Sequence, residues 1–144
     1  MVEVVENKKT VKIKLTTTIK HPEEESETFE LWVEGFLQEK KDQQYLSYVE
    51  VQDSGEVRTV VRMGEKEGLV LRGGAINMRL PFAVRELRMG SYDGGFGSLP
   101  ISVKTQSMQF KPEAGKYTVN YELFTNDQSV GEYKLQFTYT EVEQ

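Results

Sequence analysis

From Val11 to Tyr139, apolar residues recur at every second position, and the pattern breaks only at clusters of turn-forming residues. Period two is the side-chain repeat of a strand with one buried face. No window of a dozen residues carries the 3.6 period of an amphipathic helix. Parallel strands need long crossovers, usually helical, so these strands are expected to be antiparallel and consecutive. Eight to ten of them predict an all-β fold, a single antiparallel up-and-down meander barrel. A two-sheet sandwich is the rival, but closure removes the unpaired edges that a sandwich must protect.

The 144 residues form one domain by length, with residues 1–9 read as a flexible N-terminus. Strand one, 10–20, sets Val11, Ile13, Leu15 and Ile19 against Lys12, Lys14 and Lys20. Strand two, about 28–37, puts Phe29, Leu31, Val33 and Leu37 inward, with Trp32 and Phe36 on the polar face. Residues 38–44, QEKKDQQ, are a polar connection with room for one helical turn. Strand three (45–52) and strand four (56–63) flank the turn Asp53-Ser54-Gly55, a hairpin signal. Strands five (69–72), six (75–82) and seven (84–90) follow, and Gly90–Gly97 is too rich in glycine for regular structure. Strand eight is 99–106, with Met108 and Phe110 as a short continuation. The last hairpin is the cleanest. Tyr117, Val119, Tyr121 and Leu123 lie on one face, Asn126-Asp127-Gln128 turns, and Tyr133, Leu135, Phe137 and Tyr139 follow.

Composition removes several function classes. The net charge of −5 argues against a nucleic-acid partner. With no cysteine, disulfides, thiolate nucleophiles and Cys-held metals are excluded. No apolar run approaches a membrane span, and the N-terminal MVEVVENKKTVKIKL lacks the core of a signal peptide. A cytoplasmic location is expected. His21 is the single histidine and sits at a turn beside Pro22 and an acidic run, so it is expected to be solvated rather than catalytic. The acidic run 23–27 reads as a mobile loop, not a cation site. No metal and no cofactor is expected. Asp93-Gly94-Gly95-Phe96-Gly97 lacks the Lys-Ser/Thr ending of a phosphate loop and opens no helix.

The run Tyr45-Leu46-Ser47-Tyr48-Val49-Glu50, then Thr59-Val60-Val61-Arg62, Leu71-Arg72-Gly73-Gly74-Ala75 and Met78 is followed by Tyr92, Phe96-Gly97 and Val103-Lys104-Thr105. This order, over nearly the whole chain, resembles the YwiB-like family of small bacterial proteins, a domain-of-unknown-function family similar to the calycin (lipocalin-like) barrels. The resemblance implies the barrel and a bacterial cytosolic origin. It supplies no activity, substrate or catalytic residue. Its calycin side implies an anionic head group held by Arg and Tyr.

The residues themselves single out one further group. Between Arg72 and Tyr92 an acidic chain turns locally basic, with Arg72, Arg79, Arg85 and Arg88 interleaved with Met78, Phe82 and Met89. A guanidinium fork suits a carboxylate or phosphate. The expected function is therefore a non-enzymatic binding module whose barrel holds a small amphipathic or anionic ligand. Arg72, Arg79 or Arg88 would hold the polar end, and Tyr92 and Phe96 would gate the mouth. The bland alternative is that Arg79 and Arg88 snorkel outside the wall. A second function class is a protein–protein interaction domain with a filled barrel and an exposed aromatic patch of Trp32, Phe36 and Tyr48. An enzyme built on buried Tyr, Glu and Arg is the least supported reading.

Overall fold

The structure, a computed structural model, describes residues 8–142. It contains ten strands: β1 (Lys8–Lys20), β2 (Glu27–Lys40), β3 (Gln43–Gln52), β4 (Gly55–Met63), β5 (Glu67–Gly74), β6 (Asn77–Ala83), β7 (Leu87–Asp93), β8 (Leu99–Lys111), β9 (Lys116–Thr125) and β10 (Gln128–Glu141). Each pairs antiparallel with its neighbours in sequence, and β1 pairs β10 from Val11↔Glu141 to Lys20↔Glu132, which closes the barrel. Among the described residues the only helical piece is a 3₁₀ turn, Pro112–Ala114. Of the N-terminal segment expected to be flexible, residues 1–7 lie outside the described residues, while Lys8 and Lys9 belong to β1.

A meander sorts its turns to two ends. The terminal end carries Lys8, Glu141, the 3₁₀ turn and the turns after β2, β4 and β6; the loop end carries 21–26, 53–54, 75–76, 94–98 and 126–127. Asn126 and Asp127 have φ of 51° and 64°, as a tight hairpin turn between right-twisted strands requires. Lys41 and Asp42 do the same at 52° and 65°. The polar connection expected over 38–44 is thus a two-residue turn, with β2 and β3 extended to meet it. Its polarity reflects exposure of the strand ends, not a loop. Strand seven also shifts from 84–90 to Leu87–Asp93, because Arg85 turns at φ 64°. Only 94–98 of the glycine-rich stretch is irregular.

Alternation breaks twice where the ladder bulges, between Thr105 and Ser107 on β8 and between Ser129 and Gly131 on β10. An extra residue flips the side-chain parity. Thr105 and Met108 therefore both face inward, and β8 runs on through Phe110 as one strand.

The terminal-end half is a packed core. Val11, Ile13, Leu46, Val61, Phe82, Val119 and Phe137 are buried there around Tyr117, whose ring meets Phe110 edge-on at 5.7 Å. Gly68 makes this possible, since a Cβ there would collide with the Tyr117 hydroxyl. Phe29 departs from expectation. It pairs with Thr17 on the inward side, yet it lies at the loop-end rim and is 53% exposed.

Neighbouring strands are not paired along their full lengths. The β2–β3 ladder runs only from Phe36↔Ser47 to Lys40↔Gln43. Residues 27–35 pair with β1 alone and 48–52 with β4 alone, so the wall splits toward the loop end. Gly35 sits at the fork, where a Cβ would strike the Ser47 carbonyl oxygen.

Candidate functional site

Ten strands enclose a wider bore than eight, which side chains only just fill. Here the terminal-end half is filled and the loop-end half is not. The inward residues of that half leave a cavity of about 310 Å³. Register fixes its depth. Leu15 pairs with Phe137 and Val70 with Leu80, forming an apolar floor. One inward position nearer the mouth, Thr17 pairs with Leu135 and Arg72 with Met78. Leu31, Tyr48, Glu50, Tyr121 and Tyr133 complete the wall.

Two charges enter this otherwise apolar surface. Alternation on β3 sends Leu46, Tyr48 and Glu50 inward, and on β5 it sends Val70 and Arg72 inward. Glu50 lies opposite Val57 of β4 and Arg72 opposite Thr59, so the two side chains reach each other across one strand. The Arg72 Nη2 donates to Glu50 Oε1 at 3.3 Å, with the side chains only 22% and 20% exposed. Among the described residues this is the one side-chain hydrogen bond of that guanidinium. The phenols beside the pair are held neutral. Burial, then the Glu50 charge, push Tyr48 up to about 12, offset in part by Thr59 and Arg72. Burial also raises Tyr121 and Tyr133, whose rings stack at 5.2 Å and 8°.

Of the residues singled out in the sequence, Arg72 lies on the cavity. Arg79 does not. It is exposed on the outer face and donates to the Met89 carbonyl at 3.1 Å. Arg88 points to the terminal end, where it pairs with Glu86 at 2.9 Å and Glu67 at 3.4 Å. Tyr92 faces inward opposite Met78 but is folded under the 94–98 loop; a Cβ on Gly94 would come within 2.8 Å of its hydroxyl. Phe96 is fully exposed. Asp93 Oδ1 accepts from the Gly95 amide at 2.8 Å, and Phe96 next to this turn packs on none of the other described residues. Glu50 was missed. The period-two pattern Leu46, Tyr48, Glu50 is the signal that could have found it.

Two further expectations need correction. Tyr48 is only 6% exposed and belongs to the cavity, not to an outer aromatic patch. Trp32 and Phe36 are exposed as expected, but Lys14 Nζ lies 4.9 Å from the Trp32 ring and Lys8 Nζ 4.4 Å from the Phe36 ring. Cation–π contact accounts for their place on a lysine-bearing face. His21 is half-buried rather than solvated, and its Nδ1 donates to the Val130 carbonyl at 3.0 Å, which ties the 21–26 turn to the β10 bulge.

A larger hollow of about 930 Å³ lies at the terminal end, lined by Arg62, Lys66 and Arg85 interspersed with Asp42, Glu65, Glu67 and Glu86. It is an open groove in which these charges outnumber Met63, Val84 and Phe110, whereas the loop-end cavity is mostly apolar, the make-up that ligand sites share. The loop-end cavity is the better candidate.

Comparison with known proteins agrees with this architecture. Residues 13–137 match the family model described as Domain of unknown function (DUF1934). The chain belongs to the DUF1934 family. The uncharacterised β-barrel protein YwiB of Bacillus subtilis (strain 168) is 32% identical over 115 residues, covering 78% of this chain and 81% of that protein. The crystal structure of ywiB protein from Bacillus subtilis superposes with a TM-score of 0.76 at 25% identity, over 92% of this chain and 93% of that one. The DUF1934 barrel described here thus shares its fold with a solved relative. No helix of its described residues is long and apolar enough to cross a membrane.

Proposed function

We propose that the chain is a non-enzymatic binding module that takes a small amphipathic molecule into the loop-end half of its barrel. The observation that supports this most is the cavity of about 310 Å³, apolar at its floor and carrying one charged pair nearer its mouth. Ligand sites share this make-up of mostly apolar walls and a few placed polar groups, and about 300 Å³ is the lower end of their range. Taking a water's share of liquid volume as about 30 Å³, the space suits a ligand of about ten non-hydrogen atoms. The apolar part would lie among Leu15, Val70, Leu80 and Phe137, with the polar end at Glu50 and Arg72. The exposed rim residues Phe29 and Leu99 extend the apolar surface outward. A cytoplasmic location fits the absence of cysteine. The filled-barrel interaction domain has less support, because the loop-end half is hollow.

The test is a calorimetric titration with 1-octanol. Wild type should bind one equivalent saturably. Met78→Trp, which fills the space beside Arg72, should abolish binding while near-ultraviolet circular dichroism stays native-like. Absence of saturable binding by wild type, or equal binding by both proteins, argues against the proposal.

A further inference from the structure

We propose that the cavity selects a neutral head group that both donates and accepts hydrogen bonds, such as a primary amide, over an anion or a cation of the same size. The inference rests on the binding role proposed above. The arginine alone would favour a carboxylate or phosphate. Glu50 lies 3.3 Å from it, on the same inward face and equally withdrawn from water. The pair presents the cavity with one acceptor group and one donor group, and almost no net charge.

Each class of head group meets this pair differently. A carboxylate that binds Arg72 competes with Glu50 and leaves two carboxylates sharing one guanidinium. Like charges in a partly dry site repel strongly. An ammonium that binds Glu50 sets two cations on one carboxylate. An amide keeps the ion pair intact. Its N–H₂ donates to Glu50, and its carbonyl accepts from the Arg72 nitrogens that have no protein partner among the described residues. Tyr48 and Tyr121 do not add a compensating charge, because a phenol is neutral at pH 7 and burial only raises its pKa further. No other ionisable side chain except the phenol of Tyr133 lines the cavity, so nothing on the wall offsets an added charge.

The experiment titrates the full chain with octanamide, octanoate and octylamine by calorimetry at pH 7. These probes share an eight-carbon tail and differ at the head. Octanamide should bind about tenfold or more tightly than either charged probe, since a site rejects a partner that leaves its withdrawn polar groups badly paired. Glu50→Gln should reverse the order toward octanoate, and Arg72→Gln toward octylamine, with dichroism confirming that each variant is folded. Octanoate binding best to wild type, or an order unchanged by Glu50→Gln, overturns the inference and leaves the binding role standing. No binding of any probe overturns the binding role itself.

Discussion

Glu50 and Arg72 meet across β4 inside the barrel, 3.3 Å apart and about one-fifth exposed, on strands that are not paired with each other. A pair in this position is sensitive to losing one member, because the remaining charge is left withdrawn from water. Arg72→Ala should destabilise the fold by about 1–3 kcal/mol in urea denaturation. The double variant Glu50→Gln with Arg72→Met should cost less than the sum of the two single changes, as expected for groups in direct contact. Strict additivity would mean that the pair is not formed in solution.

The interior phenols predict a steep alkaline limit. Burial pushes Tyr48 and Tyr139 up to about 12, and Tyr117 and Tyr121 higher still. The neutral phenol is the form favoured by folding. Its contribution is complete below the unfolded value near 10 and is lost as pH rises from there through the folded value. Stability to urea should therefore fall between about pH 10 and pH 12, and ionisation of these four tyrosines should coincide with unfolding. Titration of all seven tyrosines near pH 10 with the fold intact would contradict this assignment.

Strand β10 separates its faces cleanly. Phe137 is 1% exposed and packs on Tyr117, with ring centroids 6.3 Å apart, while Lys134 is exposed. Phe137→Ala should cost about 3–5 kcal/mol, and Lys134→Ala less than about 0.5 kcal/mol. Chemical denaturation of the two variants checks the orientation of the strand.

Gly35 and Gly73 make a matched pair of tests. A Cβ at Gly35 would strike the Ser47 carbonyl oxygen and lie 2.9 Å from Ile13 Cδ1, at the point where β2 and β3 part. Gly35→Ala should cost about 1–3 kcal/mol through overpacking. A Cβ at Gly73 meets only the Asn77 Oδ1, at 3.8 Å, so Gly73→Ala should change stability by less than about 0.5 kcal/mol. Equal effects would mean that the fork is looser than described.

Much of this architecture was legible because strands with one wet face advertise themselves. The β9–β10 hairpin could be read residue by residue, from Tyr117 to Tyr139. Ending strand eight at 106, with Met108 and Phe110 as a separate continuation, is explained by the bulge between Thr105 and Ser107. Lys41-Asp42 was illegible as a tight turn because Lys41 is not a usual marker of positive φ and no glycine follows Asp42. The site was half legible. Arg72 stood out in a basic segment, but so did Arg79 and Arg88; alternation with Met78 and Leu80 puts Arg79 outside the wall, and register puts Arg88 at the other end. Glu50 was hidden by distance in sequence. It is 22 residues from its partner, and their meeting depends on the width of β4 between them.

The most direct test of the account is where a small amphiphile sits. A crystal of the protein grown with 8-bromooctan-1-ol should give a bromine anomalous peak on the apolar floor, among Leu15, Val70, Leu80 and Phe137, with the hydroxyl directed at Glu50 and Arg72. An empty barrel at saturating ligand, or a peak confined to the terminal-end groove beside Arg62 and Arg85, would contradict it.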